Sequence, residues 1–263
     1  MDPEIDAYYD RGDEQGRLSS WGRLELVRTQ ALLLRFLPPP PARVLDVGGG
    51  PGAYAVWLAE RGHDVELVDP VELHLSQARA AGVAHVRLGD ARELPFGDAS
   101  ADAVLALGPL YHLPDAADRR RALEDALRVL RPGGVLAAAA ISRFASTIDG
   151  LFKDLFAEPG FEQVVEGDLR DGRHENPDRH PRWFTTAYVH VPEDLGAEVA
   201  ATGFALVALL GIEGPGAFLP DIDDRLDDPV RRASLLRALA RVEAEPSLLG
   251  ASPHVLAVGR KPG

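Results

Sequence analysis

The sequence predicts an α/β fold built on a mostly parallel, doubly wound sheet with helices on both faces. Three observations carry this. Between residues 43 and 141, short β-branched or Leu-rich runs alternate with helical stretches. The short runs are mostly Val, Leu, Ile and Ala, as in strands that are covered on both sides. The length of 263 residues, with 46% hydrophobic and 26% charged residues, is ample for one large buried core.

The elements follow in order. Leu24, Val27, Ala31 and Leu34, with Leu26, Leu33 and Leu37, recur at three- and four-residue steps and predict an amphipathic helix over 24–37, stopped by the proline run 38–41. Strands are expected at 43–47, 65–68 and 83–88, with helices at 53–61 and 71–81 between them. A strand at 103–107, a helix at 116–130 and a strand at 135–141 follow, with Pro132, Gly133 and Gly134 as the turn between the last two. The rhythm then breaks. Residues 166–182 are polar, carry Gly167, Gly172, Pro177 and Pro181, and read as the loop of a lid-like insertion over about 142–192. Regular structure resumes with a helix at 192–201, a strand at 204–210, a helix at 229–242 and a strand at 254–258. The expected organisation is an N-terminal helical cap over 1–41 and one domain over 42–263.

Composition excludes several classes of function. There is no cysteine, hence no disulfide scaffold, thiolate metal site or cysteine nucleophile. A net charge of −13 argues against nucleic acid as the main partner, because neutralising phosphates needs a basic face. No run approaches the roughly 18 apolar residues of a membrane helix. The start, MDPEIDAYYD, is acidic where a signal peptide is basic, so the expectation is a cytoplasmic chain without a membrane partner.

The segment Val44-Leu45-Asp46-Val47-Gly48-Gly49-Gly50-Pro51-Gly52 puts a carboxylate near the end of a strand and follows it with a glycine-rich turn that opens a helix. Glycines there permit positive φ and let a ligand lie against the backbone. Asp69 ends the next strand, where an acid can accept hydrogen bonds from both hydroxyls of a ribose. Gly48, Gly50 and Ala53 also satisfy a dinucleotide fingerprint, but a pyrophosphate at this turn meets Asp46 as a like charge, whereas an amino or sulfonium group is attracted.

These residues resemble the first motif of class I S-adenosylmethionine-dependent methyltransferases, D-x-G-x-G-x-G, matched by Asp46, Gly48, Gly50 and Gly52. Residues 89–96, GDARELPF, are similar to the family's segment after the third strand. Residues 102–113, DAVLALGPLYHL, resemble its fourth motif, and residues 130–136, LRPGGVL, its L-x-P-G-G-x-L turn. The resemblance implies a Rossmann-like seven-stranded sheet whose last strand, 254–258, runs antiparallel beside the fifth. It implies S-adenosylmethionine as methyl donor. By the same likeness Asp69 and the adjoining Pro70 hold the ribose, Asp90 and Ala91 meet the adenine, and Leu107 and Gly108 lie under the methionine portion.

Transfer of a methyl group from sulfonium is an in-line displacement that rests mainly on positioning, with a base needed only if the acceptor must lose a proton. His112 follows the fourth strand, where a parallel sheet presents ligands, and is the first candidate base; packing beneath a lid is the other reading. Tyr111 is a candidate to orient the acceptor, or a core aromatic. His190 is a second candidate base, or a packing residue at the start of a helix. Trp183 and Phe184 are expected to close over an acceptor or to anchor the loop. In the N-terminal segment, Tyr8 or Tyr9 is expected at cofactor or substrate, and Arg28 either at the methionine carboxylate or paired with Glu25. His174, His180 and His190 are too irregularly spaced to argue for a metal, and none is expected.

The function expected is methylation of an O or N atom of a small metabolite by a monomer or homodimer. A nucleic-acid or protein methyltransferase requires Arg170, Arg173, Arg179 and Arg182 to form one basic rim. A cofactor-binding protein without transfer is the alternative from another class.

Overall fold

A computed structural model describes residues 3–9, 12 and 14–263. The remaining positions of the expected 1–41 cap, residues 1, 2, 10, 11 and 13, lie outside the described residues.

Helices α1 (Pro3–Tyr9) and α2 (Arg23–Phe36) precede β1 (Arg43–Val47). The chain then alternates through α3 (Ala53–Ala59), β2 (Asp64–Asp69), α4 (Glu72–Ala80), β3 (His85–Leu88), β4 (Ala101–Ala106), α5 (Ala116–Val129) and β5 (Leu130–Ile141). The insertion holds α6 (Ala145–Lys153), α7 (Phe161–Asp171) and a two-stranded ribbon of β6 (Arg173–His174) and β7 (Ala187–Tyr188). Helix α8 (Pro192–Ala201), β8 (Ala205–Gly211), α9 (Ile222–Asp227), α10 (Pro229–Ala240), α11 (Pro246–Leu249) and β9 (His254–Arg260) complete the order.

The seven-stranded sheet runs β3-β2-β1-β4-β5-β9-β8. Strands β1 to β5 pair in parallel, and β9 lies antiparallel between β5 and β8. Successive residues of each central strand face opposite sides. Val44, Leu67, Ala103, Ala137 and Val258 enter one core with Leu32, Tyr54, Leu58 and Leu75 from α2, α3 and α4. Leu45, Val68, Val104, Leu136 and Ala257 enter the other with Leu123, Ala126 and Val199 from α5 and α8. Winding reverses between β1 and β4, so a crevice opens at the carboxyl ends of β1, β2 and β4.

Two expectations are corrected. Pro132, Gly133 and Gly134 do not separate helix from strand. They open β5, where Gly133 donates to Lys261 and Lys261 donates back to Gly134. The predicted loop at 166–182 begins inside α7, whose apolar face of Phe161, Val164 and Val165 packs with Leu155 and Trp183 in a small separate core. Trp183 is thus the anchor of the insertion, with its indole N–H donating to Glu158 at 2.9 Å. Among the described residues, no helix is long and apolar enough to cross a membrane.

Candidate active site

A cavity of about 1160 Å³ lies over the crevice. Its floor is the glycine turn after β1, with Asp69 to Val71, Gly89 to Arg92 and Leu107 to Leu113 around it. Its roof comes from Glu4 and Tyr9 of α1, residues 14–19, and the ribbon with its flanks.

The glycines of the turn are required for different reasons. Gly48 and Gly50 have φ of +66° and +55°. A Cβ on Gly48 would lie 3.0 Å from Pro109, whereas one on Gly50 would meet nothing nearer than Glu14 at 3.9 Å. Gly50 therefore leaves open space against the backbone, as a bound ligand needs. Gly52, at φ +92°, is demanded by packing, since a Cβ there falls 2.8 Å from Val83.

Asp46 is 1% exposed, and its Oδ2 has no hydrogen-bond partner. Burial, reinforced by the neighbouring Asp69, pushes its carboxyl up to about 7. Asp69 accepts from the Gly50 amide and the Val71 amide, each at 2.9 Å, and lies 3.0 Å from Nδ1 of His74. It thereby fixes the glycine turn to the end of β2. Asp90 is gripped by Arg92, through the amide at 2.8 Å and the guanidinium at 2.9 and 2.6 Å, which holds its carboxyl below the usual range. Pro70, Ala91, Leu107 and Gly108 all line the cavity.

Toward the roof, His112 and Tyr111 line the cavity beside Tyr9. The Tyr9 hydroxyl is 2.5 Å from Nε2 of His112. Tyr9, Tyr111 and Phe184 surround the imidazole with ring centroids 4.6 to 5.7 Å away, and burial drives its pKa down to about 3. Arg17 also lines the cavity, held by Glu14 at 2.8 Å and by Glu25 at 2.5 and 3.0 Å.

Three expected site residues stand elsewhere. Arg28 is buried with Nε on the Ile212 carbonyl at 2.8 Å and Nη2 on Glu243 at 2.6 Å, and it does not line the cavity. Its suggested partner Glu25 is taken by Arg17. His190 is fully buried beside Glu198, with Nε2 at 3.3 Å, and lies outside the cavity lining. Tyr8 does not line the cavity either; it packs edge-on against Tyr9 and Phe184. His174, His180 and His190 do not share a site, for each pairs with a different carboxylate: Asp168, Glu158 and Glu198. Glu4, Glu14, Arg17, His74 and Thr186 of the lining have no signature in the sequence, since only the fold brings them together.

Residues 45–138 match the family model described as a methyltransferase domain. The match places a methyltransferase domain at residues 45–138, inside the Rossmann-like sheet. The domain is 46% identical over 102 residues to an uncharacterized methyltransferase of Mycobacterium bovis, a match covering 38% of this chain and 40% of that protein. It is 42% identical over 106 residues to an O-methyltransferase of Aspergillus nomiae, covering 37% and 45%. The chain thus spans less than half the length of these curated relatives. A Thermotoga maritima structure described as a possible histamine N-methyltransferase matches 98% of this chain and 99% of its own, with a TM-score of 0.59 and 21% identity, a likeness of fold alone.

Proposed function

We propose that the protein transfers the methyl group of S-adenosylmethionine to an oxygen or nitrogen atom of a small metabolite. The observation that carries this reading is the continuity of one cavity, from the glycine turn and three acidic strand ends to a roof of aromatic and polar side chains. The donor set suits the cofactor. Asp46 has a buried oxygen without a partner, fitted to an amino group, and Gly50 leaves its approach open. In this reading the backbone of Gly48, Gly50 and Gly52 bounds the methionine end, and Leu107 and Gly108 lie beneath it. Asp69 and Pro70 take the ribose, and Asp90 and Ala91 the adenine. Arg17, in place of Arg28, faces the carboxylate. The cofactor supplies an electrophilic methyl group on a good leaving group, and the chain's part is to align an acceptor with it and keep water out.

Tyr111, His112 and Tyr9 form the wall against which an acceptor rests, and Glu4, residues 14–19 and the segment 142–192 serve as its cover. The name of the Aspergillus relative supports an O acceptor. A polyanionic substrate is disfavoured by the arginines expected to make a basic rim. Of the four, Arg170, Arg173 and Arg182 each pair with an acid, Asp171, Asp115 and Glu158, and Arg179 shows no such pair among the described residues. The test is incubation with methyl-tritiated S-adenosylmethionine and fractionated metabolites, tRNA and protein extract. Label is expected in a small-molecule fraction, and label in tRNA or protein would overturn that choice.

A further inference from the structure

His174 is 3% exposed and lines the cavity from β6, in the insertion and not in the strands that carry the cofactor motifs. Its Nδ1 lies 3.0 and 3.1 Å from the two oxygens of Asp168 on α7, a carboxylate with no exposure, and 3.4 Å from the Ser146 hydroxyl on α6. Nε2, at the opposite edge of the ring, is buried and has no partner. An imidazole whose Nδ1–H is held by a carboxylate keeps its lone pair on Nε2. A buried ring nitrogen left unsatisfied is costly unless a ligand completes it, and the ring belongs to the cavity lining. His112, whose Nδ1 is also buried without a partner, differs in having no carboxylate behind it among the described residues: its Nε2 lies against the Tyr9 hydroxyl, and burial suppresses its protonation.

We propose that His174 is the base that receives the acceptor's proton and that Asp168 is its positioning residue. The inference rests on the methyl-transfer reading and adds the residue that activates the acceptor. As the acceptor's lone pair bonds to the methyl carbon, the carbon–sulfur bond breaks and its electrons return to sulfur. The acceptor's O–H or N–H proton passes to Nε2, and the imidazolium stands against Asp168 until solvent takes the proton. His74 shares the same outline, with Nδ1 on Asp69 and a bare Nε2. Asp69, however, also holds two backbone amides at the ribose end, so His74 belongs to the cofactor's half of the cavity.

The experiment compares the full-length wild type with His174→Gln, Asp168→Asn and His74→Gln, each checked for native circular dichroism. S-adenosylhomocysteine affinity is measured by calorimetry, and methyl transfer to catechol and to phenethylamine is followed over pH. His174→Gln is expected to lower kcat on the order of 10²-fold or more and to abolish the ascending limb of the pH profile, with S-adenosylhomocysteine affinity within twofold of wild type. Asp168→Asn lowers kcat about tenfold. Wild-type kcat and pH profile in His174→Gln, or loss of the limb in His74→Gln instead, overturn the proposal. If wild type turns over neither probe, nitrogen-15 NMR decides: at pH 8 the proton is expected on Nδ1 with Nε2 bare, and a proton on Nε2 overturns it. A wild type that does not bind S-adenosylhomocysteine overturns the methyl-transfer reading, leaving the NMR result to judge the dyad.

Discussion

The carboxylate of Glu4 accepts hydrogen bonds from both the amide of Thr186, at 3.1 Å, and its hydroxyl, at 2.5 Å. The two residues are 182 positions apart, and their contact joins α1 to the ribbon across the mouth of the cavity. Helix α1 and the ribbon are therefore held together over the cavity. Glu4→Ala removes both bonds and is expected to raise amide hydrogen exchange at residues 185–188 and to raise KM for the acceptor severalfold, with stability lowered by about 1 kcal/mol. Unchanged exchange in that segment would show that the two covers are not coupled.

Asp46 gives the site a pH dependence. Its carboxyl sits near 7 because burial and Asp69 disfavour its charge, and a bound ammonium group favours that charge. The ionised form is the binding form, so affinity for S-adenosylhomocysteine should rise as pH increases from 6 to 8, by about three- to tenfold. Asp46→Asn should flatten the curve. Calorimetric titrations at three pH values check both.

His254 affects stability with the opposite dependence on pH. Burial opposes its charge, but Glu213 at 2.6 Å and Glu25 hold the imidazolium up to about 9. A folded-state pKa above the unfolded value contributes stability that is complete below about pH 6.5 and disappears as pH rises through 9. Denaturant midpoints should fall between pH 7 and pH 10. His254→Gln should remove most of that slope while costing roughly 2–3 kcal/mol at pH 6.

Arg28 and Gly52 separate structure from site. Arg28→Met strips Glu243 and the Ile212 carbonyl of a buried donor, leaving Arg35 on Glu243, and is expected to cost about 2–4 kcal/mol. Affinity for S-adenosylhomocysteine should stay within twofold. Gly52→Ala combines a left-handed backbone with a Cβ only 2.8 Å from Val83 and should cost about 2–3 kcal/mol. Thermal melts with ligand titrations distinguish the two effects.

The sequence made β1, β2 and the first motif legible because these strands are rich in Val and Leu and the glycines follow directly on β1. Asp46, Gly50 and Asp69 lie where the spacing placed them, around one turn. The edges were harder to read. Strand β5 begins at Leu130 because Leu130 pairs with Ala101 of β4 and Gly133 and Gly134 bond to Lys261, partners far along the chain. The sequence raises no expectation of helix α7, because only one of its faces packs, leaving Glu162, Glu166 and Arg170 in solvent, so its composition resembles a loop. Arg28 was misplaced because its partner Glu243 is 215 positions away, and no local pattern records such a pairing. His174 looked like one of three scattered histidines until the ribbon set it beside Asp168.

The crevice at the glycine turn is expected to bind the methyl donor through Asp69. Calorimetric titration of wild type and Asp69→Ala with S-adenosylhomocysteine tests it most directly. Saturable one-to-one binding by wild type, weakened at least tenfold in a folded Asp69→Ala, is the predicted result. No binding by wild type, or equal affinity in the two proteins, would contradict it.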